Sequence, residues 1–476
     1  FGNFTNNGTL LNTASEDINL SGYFENNGEI KFNQGTITFL RPAVISGKLS
    51  VAGLKLTDSL IVLGSLTVLD EISGTGELVN KGIVQLGMMN SNFKIDSLNL
   101  SFPGNELHLI RNGQQEMPTT SFKTAKKVVF SGGGNFNLHN YLSVDTVEIK
   151  NNSSLEISSE CSIGSLFCLD DSKLINSNNF YLDNAIELAF SKTSTLELNK
   201  NQTLEQSIQV GNLVLAPSIS FELNKKDTLY IGGNFLGEGF LSGDPIIEYN
   251  GDFRQTIKKR NYNTLIYNNS CIDSSIFYGD YTITNLKVKR GKLKIGNLLI
   301  NKSQIDSFGQ LLIGGNAPIF ADTTKISGKL IINSNEARPR FNFITVTSNG
   351  IFCNNSSADI TISKGIYNNG KFSGCLGTAC DYIFPNDSAY FSGKDTIYIS
   401  RIESNTIYNN GIVSITKEID TDSLFNLSNG TLLISADTQN ISGNMDFTAI
   451  GNSVIFNKDG NQTIPKSFNL LQNLIF

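Results

Sequence analysis

The chain ends on a string that it has already used. Gly451 to Phe476, GNSVIFNKDGNQTIPKSFNLLQNLIF, runs from a short alternating segment through a Gly/Asn/Asp turn and a Gln-Thr-Ile step into an apolar stretch. Gly243 to Tyr267, GDPIIEYNGDFRQTIKKRNYNTLIY, repeats it, with Gln255 and Thr256 where the last copy has Gln462 and Thr463. Ser194 to Leu215 carries a third copy with Gln202 and Thr203, and Gly104 to Phe130 a weaker fourth with Gln115 and Met117. These steps mark repeat boundaries near residues 117, 204, 257 and 464. Self-similarity of this kind belongs to solenoids and arrays, in which one supersecondary unit buries its apolar face only against its neighbours. The sequence therefore reads as one continuous segment, 1–476, of a longer repeat array.

A second spacing sets the size of the unit. Asn-Asn-Gly and related turns end at Gly8, Gly28, Gly82, Gly350, Gly370 and Gly411, at intervals of 20 and 54 in the first group and 20 and 41 in the second. Three of these four intervals are one or two times about 20, a period that fits one coil of a solenoid. Between Lys48 and Leu86 the apolar pairs Leu49/Val51, Leu54/Leu56, Leu60/Val62, Leu66/Val68 and Val84/Leu86 alternate with Ser, Lys and Thr. Each pair is a short period-two strand, and about three fit in one unit. Strands this short close no sandwich, but they can coil so that each stacks on its equivalent one turn later. The expected fold is all-β, a right-handed parallel β-helix with coils of roughly 20 residues, Leu, Ile, Val and Phe inside and Lys, Thr, Ser and Asn outside. At ~4.8 Å per coil the chain makes on the order of 24 coils.

Composition agrees with that grammar. The chain has 43 Gly, 31 Phe, 14 Tyr and no Trp, and about one residue in eight is Asn. Gly and Asn tolerate the positive φ of tight turns, and Asn at equivalent turns can build amide ladders along the stack. No long stretch sustains helical apolar spacing. Ser373 to Asp387, SGCLGTACDYIFPND, departs most from the pattern, and a protruding loop is expected over 373–387.

Charge and motif content narrow the function by exclusion. The 37 basic and 43 acidic residues give a net charge of -6, against a general nucleic-acid binder, which needs a basic stripe to displace counterions. The cluster Lys258, Lys259 and Arg260 follows a Gln-Thr-Ile step and reads as a solvated turn. No apolar run approaches the ~20 residues that span a bilayer as a helix. His108 and His139 are the two histidines, neither at zinc-ligand spacing, and no cofactor or metal motif occurs. Polysaccharide hydrolases and lyases built on parallel β-helices use clustered carboxylates. The candidate pairs here, Asp170 with Asp171 and Asp420 with Asp422, read as turns, so no enzyme is expected. The Thr-x-Thr strings at Thr36, Thr282 and Thr345 do not recur at every coil, which disfavours a flat threonine array. Cys271 and Cys353 fit as small buried residues, whereas Cys375 with Cys380, and Cys161 with Cys168, are candidate disulfides if the protein is extracellular.

The Gln-Thr-Ile step followed by an aromatic and Asn-Leu-Ile, together with the GxFxNNG turns, resembles repeat regions of large type IX-secreted bacterial surface adhesins and filament proteins, such as gliding adhesins and the hook-like appendages of predatory cells. The resemblance covers most of the chain. It implies an extracellular, non-catalytic structural or adhesive segment, without cofactor, whose partners are further copies of itself in a homo-oligomeric filament, and cell-surface glycans or prey or host surfaces. It also implies O-glycosylation at Asp-Ser/Thr-apolar triplets, here Ser59, Ser97, Thr146, Thr228, Ser388, Thr396 and Ser423. The same triplets arise wherever Asp and a hydroxyl end a turn before an inward apolar residue. The alternatives are a carbohydrate-binding β-solenoid and a β-helix polysaccharide-degrading enzyme. An intact mass above the 51.9 kDa of the sequence would separate modified triplets from plain turns.

Overall fold

The computed structural model describes residues 2–116, 124–138, 142–177, 187–315, 317–373, 381–385, 388–437, 441–460, 468–469 and 474–475. Among them there is no α-helix; apart from one 3-10 turn at Asn90–Asn92 the regular structure is strand, most of it short, with two continuous runs, Ser275–Ile313 and Ala389–Asn426, that follow the coil around its corners. The chain is a parallel β-solenoid of about 21 turns with coils of about 20 residues. It divides into two units, Phe1–Gly243 and Asp244–Phe476, the second starting one residue after the first glycine of the second string copy.

In the first unit each coil contributes a strand to each of several stacked sheets. Phe4–Asn6, Phe24–Asn26, Ala43–Ile45, Leu60–Val62, Glu77–Asn80 and Ser97–Asn99 form one stack, every pairing parallel. Thr9–Asn12, Glu29–Phe32, Lys48–Leu56, Ser65–Gly74, Ile83–Leu86 and Glu106–Leu109 begin a second. Period-two alternation places one face inside, so Leu49, Val51, Leu54, Leu56, Leu60, Val62, Leu66, Val68, Val84 and Leu86 are all buried. Because the strands are in register, like stacks on like, as Leu60 on Leu78 on Leu98.

The turns are held by a column of glycines. A Cβ built on Gly28, Gly47, Gly64 or Gly82 would lie 2.0, 2.0, 2.1 or 2.2 Å from the carbonyl oxygen of Gly8, Gly28, Gly47 or Gly64, the preceding member of the column. No side chain fits there. The interval of 54 residues between Gly28 and Gly82 is thus three coils, of 19, 17 and 18 residues, whose middle turns are Ser46-Gly47 and Leu63-Gly64. An asparagine precedes the turns at Gly8, Gly28, Gly82, Gly370 and Gly411, where it is buried or half-buried and works in two directions, whereas Ile45 and Val62 hold that place before Gly47 and Gly64. Asn6 donates to Asn26 Oδ1 at 2.8 Å, and Asn409 to Asn426 Oδ1 at 2.8 Å, which are amide ladders. Most of the others reach a backbone carbonyl of the next coil instead, Asn26 to Lys48 (2.8 Å), Asn80 to Glu106 (2.9 Å) and Asn368 to Thr396 (2.9 Å). A buried amide left without such a partner costs about 1–3 kcal/mol, so the column holds either an asparagine that reaches a partner or an apolar residue such as Ile45 or Val62.

The second unit repeats the plan with somewhat longer coils. Lys329–Ile332, Ile351–Asn354 and Lys371–Ser373 stack in register, their first residues 22 and 20 apart. Ile319–Ile326, Arg340–Val346 and Ile360–Asn368 turn a corner within each strand, marked by register shifts after Phe320 and Phe341. Coils of up to 25 residues, such as Gly365 to Tyr390, are why about 21 turns form rather than 24. Inside, aromatic rings stack coil on coil, Phe320 on Phe341 at 4.6 Å and Phe352 on Phe372 at 4.4 Å. Within 373–387, Asp381–Phe384 is an ordinary coil strand paired with Arg401–Ser404 and burying Tyr382 and Phe384. Residues 374–380 and 386–387, where the loop is expected, lie outside the described residues.

Replacing Gly47 or Gly64 by Ala is expected to lower unfolding stability by about 2–3 kcal/mol, since the backbone of two coils must separate to admit the methyl group. Lys48→Ala, one residue away on the exposed face, should change it by less than about 0.5 kcal/mol. Denaturant melts of the three variants check this, and equal melts would remove the glycine column as a structural requirement.

Candidate functional surfaces

The Gln-Thr-Ile step is an internal clamp. Gln202, Gln255 and Gln115 are buried, and the residues two further on, Leu204 and Ile257, are buried with them, while Thr203 and Thr256 point outward. Gln255 Oε1 accepts from the backbone N–H of Gly251 (3.1 Å) and from Asn269 Nδ2 (2.7 Å). Gln115 does the same four residues back, accepting from Arg111 N–H at 3.3 Å, and its Nε2 donates to the Leu86 carbonyl of the coil before. The glutamine thus recurs because an amide of that length satisfies a turn from inside. Gln202–Leu204 forms a coil strand, whereas residues 251–261 form a loop. That loop is pinned by tyrosines, Lys258 N–H donating to Tyr249 Oη (3.0 Å) and Tyr262 Oη donating to the Lys258 carbonyl (2.5 Å), with Arg260 over the Tyr262 ring. Gln462, Thr463 and the positions near 117 and 464 lie outside the described residues.

The cysteine expectations change. Cys161 and Cys168 begin and end a single strand, pairing with Leu142 and Ile149 respectively, and are not joined to each other. Seven residues of strand at roughly 3.3 Å each, even bent, hold their Cα atoms well past the about 7 Å that a disulfide spans. The sequence spacing was short in residues but long in space. Cys271 and Cys353 are half-exposed rather than buried, and Cys353 Sγ donates to Asn355 Oδ1. Cys375 and Cys380 lie outside the described residues.

The carboxylate pairs sit in turns. Asp170 has φ 53° and its side chain accepts from Asn151 N–H, and Asp171 beside it is exposed. Asp420 accepts from Ser442 Oγ at 2.8 Å, and Asp422 is exposed on the far side of buried Thr421. His108 belongs to an outward charged ladder, its Nε2 2.6 Å from Glu106 Oε2, with Lys127 between Glu106 (3.5 Å) and Glu148 (3.1 Å) on successive coils. Burial alone would raise the Glu106 carboxyl, but the His108 hydrogen bond and the Lys127 charge hold it below the ordinary range. His139 lies outside the described residues. No group of three or more His, Cys, Asp or Glu could hold a metal ion among the described residues.

The seven Asp-Ser/Thr-apolar hydroxyls share one geometry. Each of Ser59, Ser97, Thr146, Thr228, Ser388, Thr396 and Ser423 is half-exposed, and the residue after it is buried. The threonine strings form no continuous array, since Thr345 is flanked along its column by Lys325 and Tyr367. Two open grooves of about 500 and 510 Å³ run across coils of the second unit. One is lined by Arg340, Asn342, Thr361 and Ser363 over Phe320 and Phe341, the other by Lys287, Lys302, Gln304 and Lys325. Outside, Tyr390, Tyr408 and Phe425 stack at 4.9 and 5.3 Å. Face-to-face stacking consumes the inner ring faces, so this column strengthens the sheet more than it offers a platform.

The fold and surfaces define a parallel β-helix repeat protein. No family model matches the chain, and no curated protein or solved structure matches it.

Buried ionisable groups make the fold alkali-sensitive. Burial pushes the Cys168 thiol and the Tyr249 hydroxyl up to about 12, and lifts Tyr262 and Tyr382 as well. These groups keep their protons in the folded chain and lose them near 9 to 10 when unfolded, so the unfolded state binds fewer protons and stability falls as pH rises. The expected melting temperature is level from pH 7 to about 9 and drops steeply from about 9 to 12. Phe at Tyr249 should flatten part of that drop in a pH series of thermal melts.

Proposed function

We propose that the chain is a non-catalytic structural and adhesive segment of a secreted bacterial cell-surface filament or adhesin. The observation that carries this reading is the organisation itself. Each coil pairs only with the coils beside it, the inside is filled by stacked apolar and aromatic side chains, and the sequence signatures serve that interior rather than a reaction centre. Repetition of this kind makes length and surface cheaply, which is what a shaft or a display scaffold requires. The resemblance to type IX-secreted adhesin and filament repeats supplies the extracellular location and the expectation of self-association into a homo-oligomeric filament. No helix among the described residues is long and apolar enough to cross a membrane.

A carbohydrate-binding role is the second reading, favoured by the two grooves in the second unit, one of which places the Arg340 guanidinium among hydroxyl and amide groups. A polysaccharide-degrading activity has less support, because neither carboxylate pair reaches those grooves.

Electron microscopy and fibre diffraction of the native assembly test the proposal. The expected result is a filament containing equivalent copies, with a meridional repeat near 4.8 Å from the coils. Isolated compact particles that depolymerise a polysaccharide panel would replace this reading with an enzymatic one.

A further inference from the structure

Charge is distributed unevenly between the units. The first has 16 Lys and Arg against 24 Asp and Glu, a net of -8, and the second 21 against 19, a net of +2. Between Tyr281 and Gln304 there are six basic residues and no acid. In the first unit several lysines are answered across coils, Lys127 by Glu106 and Glu148, Lys173 by Glu197, Lys126 by Asp145. One face of the second unit behaves differently.

That face is built by Lys329–Ile332, Ile351–Asn354 and Lys371–Ser373, with the chain around 292–295 and 310–313 before them. Gln310 pairs with Lys329, Lys329 with Ile351, and Ile351 with Lys371. The hydrogen bond from Gly314 N–H to the Ile295 carbonyl is the one that Asn333 N–H makes to Ile313 where Ile313 pairs with Ile332. It therefore sets Ile295 beside Ile313, and Lys292 beside Gln310. The outward column reads Lys292, Gln310, Lys329, Ile351, Lys371, a lysine on every second coil. None of these lysines has an ion pair with a described residue. The neighbouring column runs Lys294, Leu312, Ile331, Cys353 and Ser373, half-exposed and, beyond Lys294, uncharged. Two coils at ~4.8 Å put the ammonium groups about 10 Å apart along the stack.

We propose that this face binds a linear anionic polysaccharide lying along the stack of coils, with a carboxylate or sulfate on alternate sugars. The spacing selects it. A chain with one acidic group per disaccharide meets a lysine at each acidic sugar, and the intervening sugar rests its carbon-bound hydrogens on the half-exposed aliphatic side chains Leu312, Ile331 and Ile351. A nucleic-acid strand has a phosphate every ~3.4 Å, out of step with the lysines. It also stacks its bases on aromatic side chains, and none stands in either column from Lys292 to Ser373. The proposal deepens the adhesive reading and rests on it, but the two fail separately, since a filament can form without this binding and the binding can occur without a filament.

The test is calorimetric titration of the full chain with hyaluronan oligosaccharides, whose carboxylates alternate, and with polygalacturonate, dextran and duplex DNA, at two salt concentrations. Hyaluronan is expected to bind most tightly, more weakly at higher salt, and dextran not at all. Changing Lys292, Lys329 and Lys371 together to Gln should weaken binding at least tenfold and remove most of its salt dependence, with the thermal melt unchanged. The matched triple Lys31→Gln, Lys48→Gln and Lys55→Gln in the first unit should leave the affinity unchanged. Absence of hyaluronan binding, equal or tighter binding of DNA or polygalacturonate, or a Lys292/Lys329/Lys371 variant that binds as well as the parent overturns the proposal.

Discussion

The close axial approach of one coil's backbone to the next is the constraint from which the other features follow. In-register parallel pairing brings carbonyls and N–H groups of successive coils into hydrogen-bond range at every strand, and at the turns that closeness leaves no volume for a side chain. Gly28, Gly47, Gly64 and Gly82 are where they are for that reason. The buried asparagines answer the complementary difficulty, that a chain reversing direction inside a packed stack strands polar backbone groups away from water. The amides of Asn26, Asn80, Asn368 and Asn409 reach across to the next coil and close the hydrogen-bonding account that the turn opened.

Much of this was legible in the residues. The alternating pairs from Leu49 to Leu86 announce inward positions directly, because a period of two has one physical meaning in a half-buried strand. The Asn-Asn-Gly turns disclose the coil length for the same kind of reason, the glycine being forced by the close approach of the coil before and the asparagine satisfying the turn from inside where it occurs. Where the turn kept its glycine but changed its preceding residue, as at Ser46-Gly47 and Leu63-Gly64, the period was hidden and three coils looked like one irregular interval.

The surfaces were less legible, because they depend on which residues coil geometry brings side by side. Lys292, Lys329 and Lys371 stand 37 and 42 residues apart, and no fixed period predicts their alignment when single coils vary in length. The Gln-Thr-Ile step stood out in sequence yet proved to serve the interior, since repetition records whatever the stack needs at each recurrence, including a buried clamp. Cys161 and Cys168 show the converse error, closeness in sequence being separation in space once the residues between them are extended.

Nearest-neighbour pairing also decides how such a stack meets force. Its backbone hydrogen bonds run along the stacking direction, so a pull in that direction loads them one layer at a time rather than all together. The chain would yield by peeling, each released coil of about 20 residues paying out roughly 65–70 Å of slack before the next layer bears load. A tether made this way lengthens under tension in equal increments and dissipates work at each, protecting whatever holds it at either end.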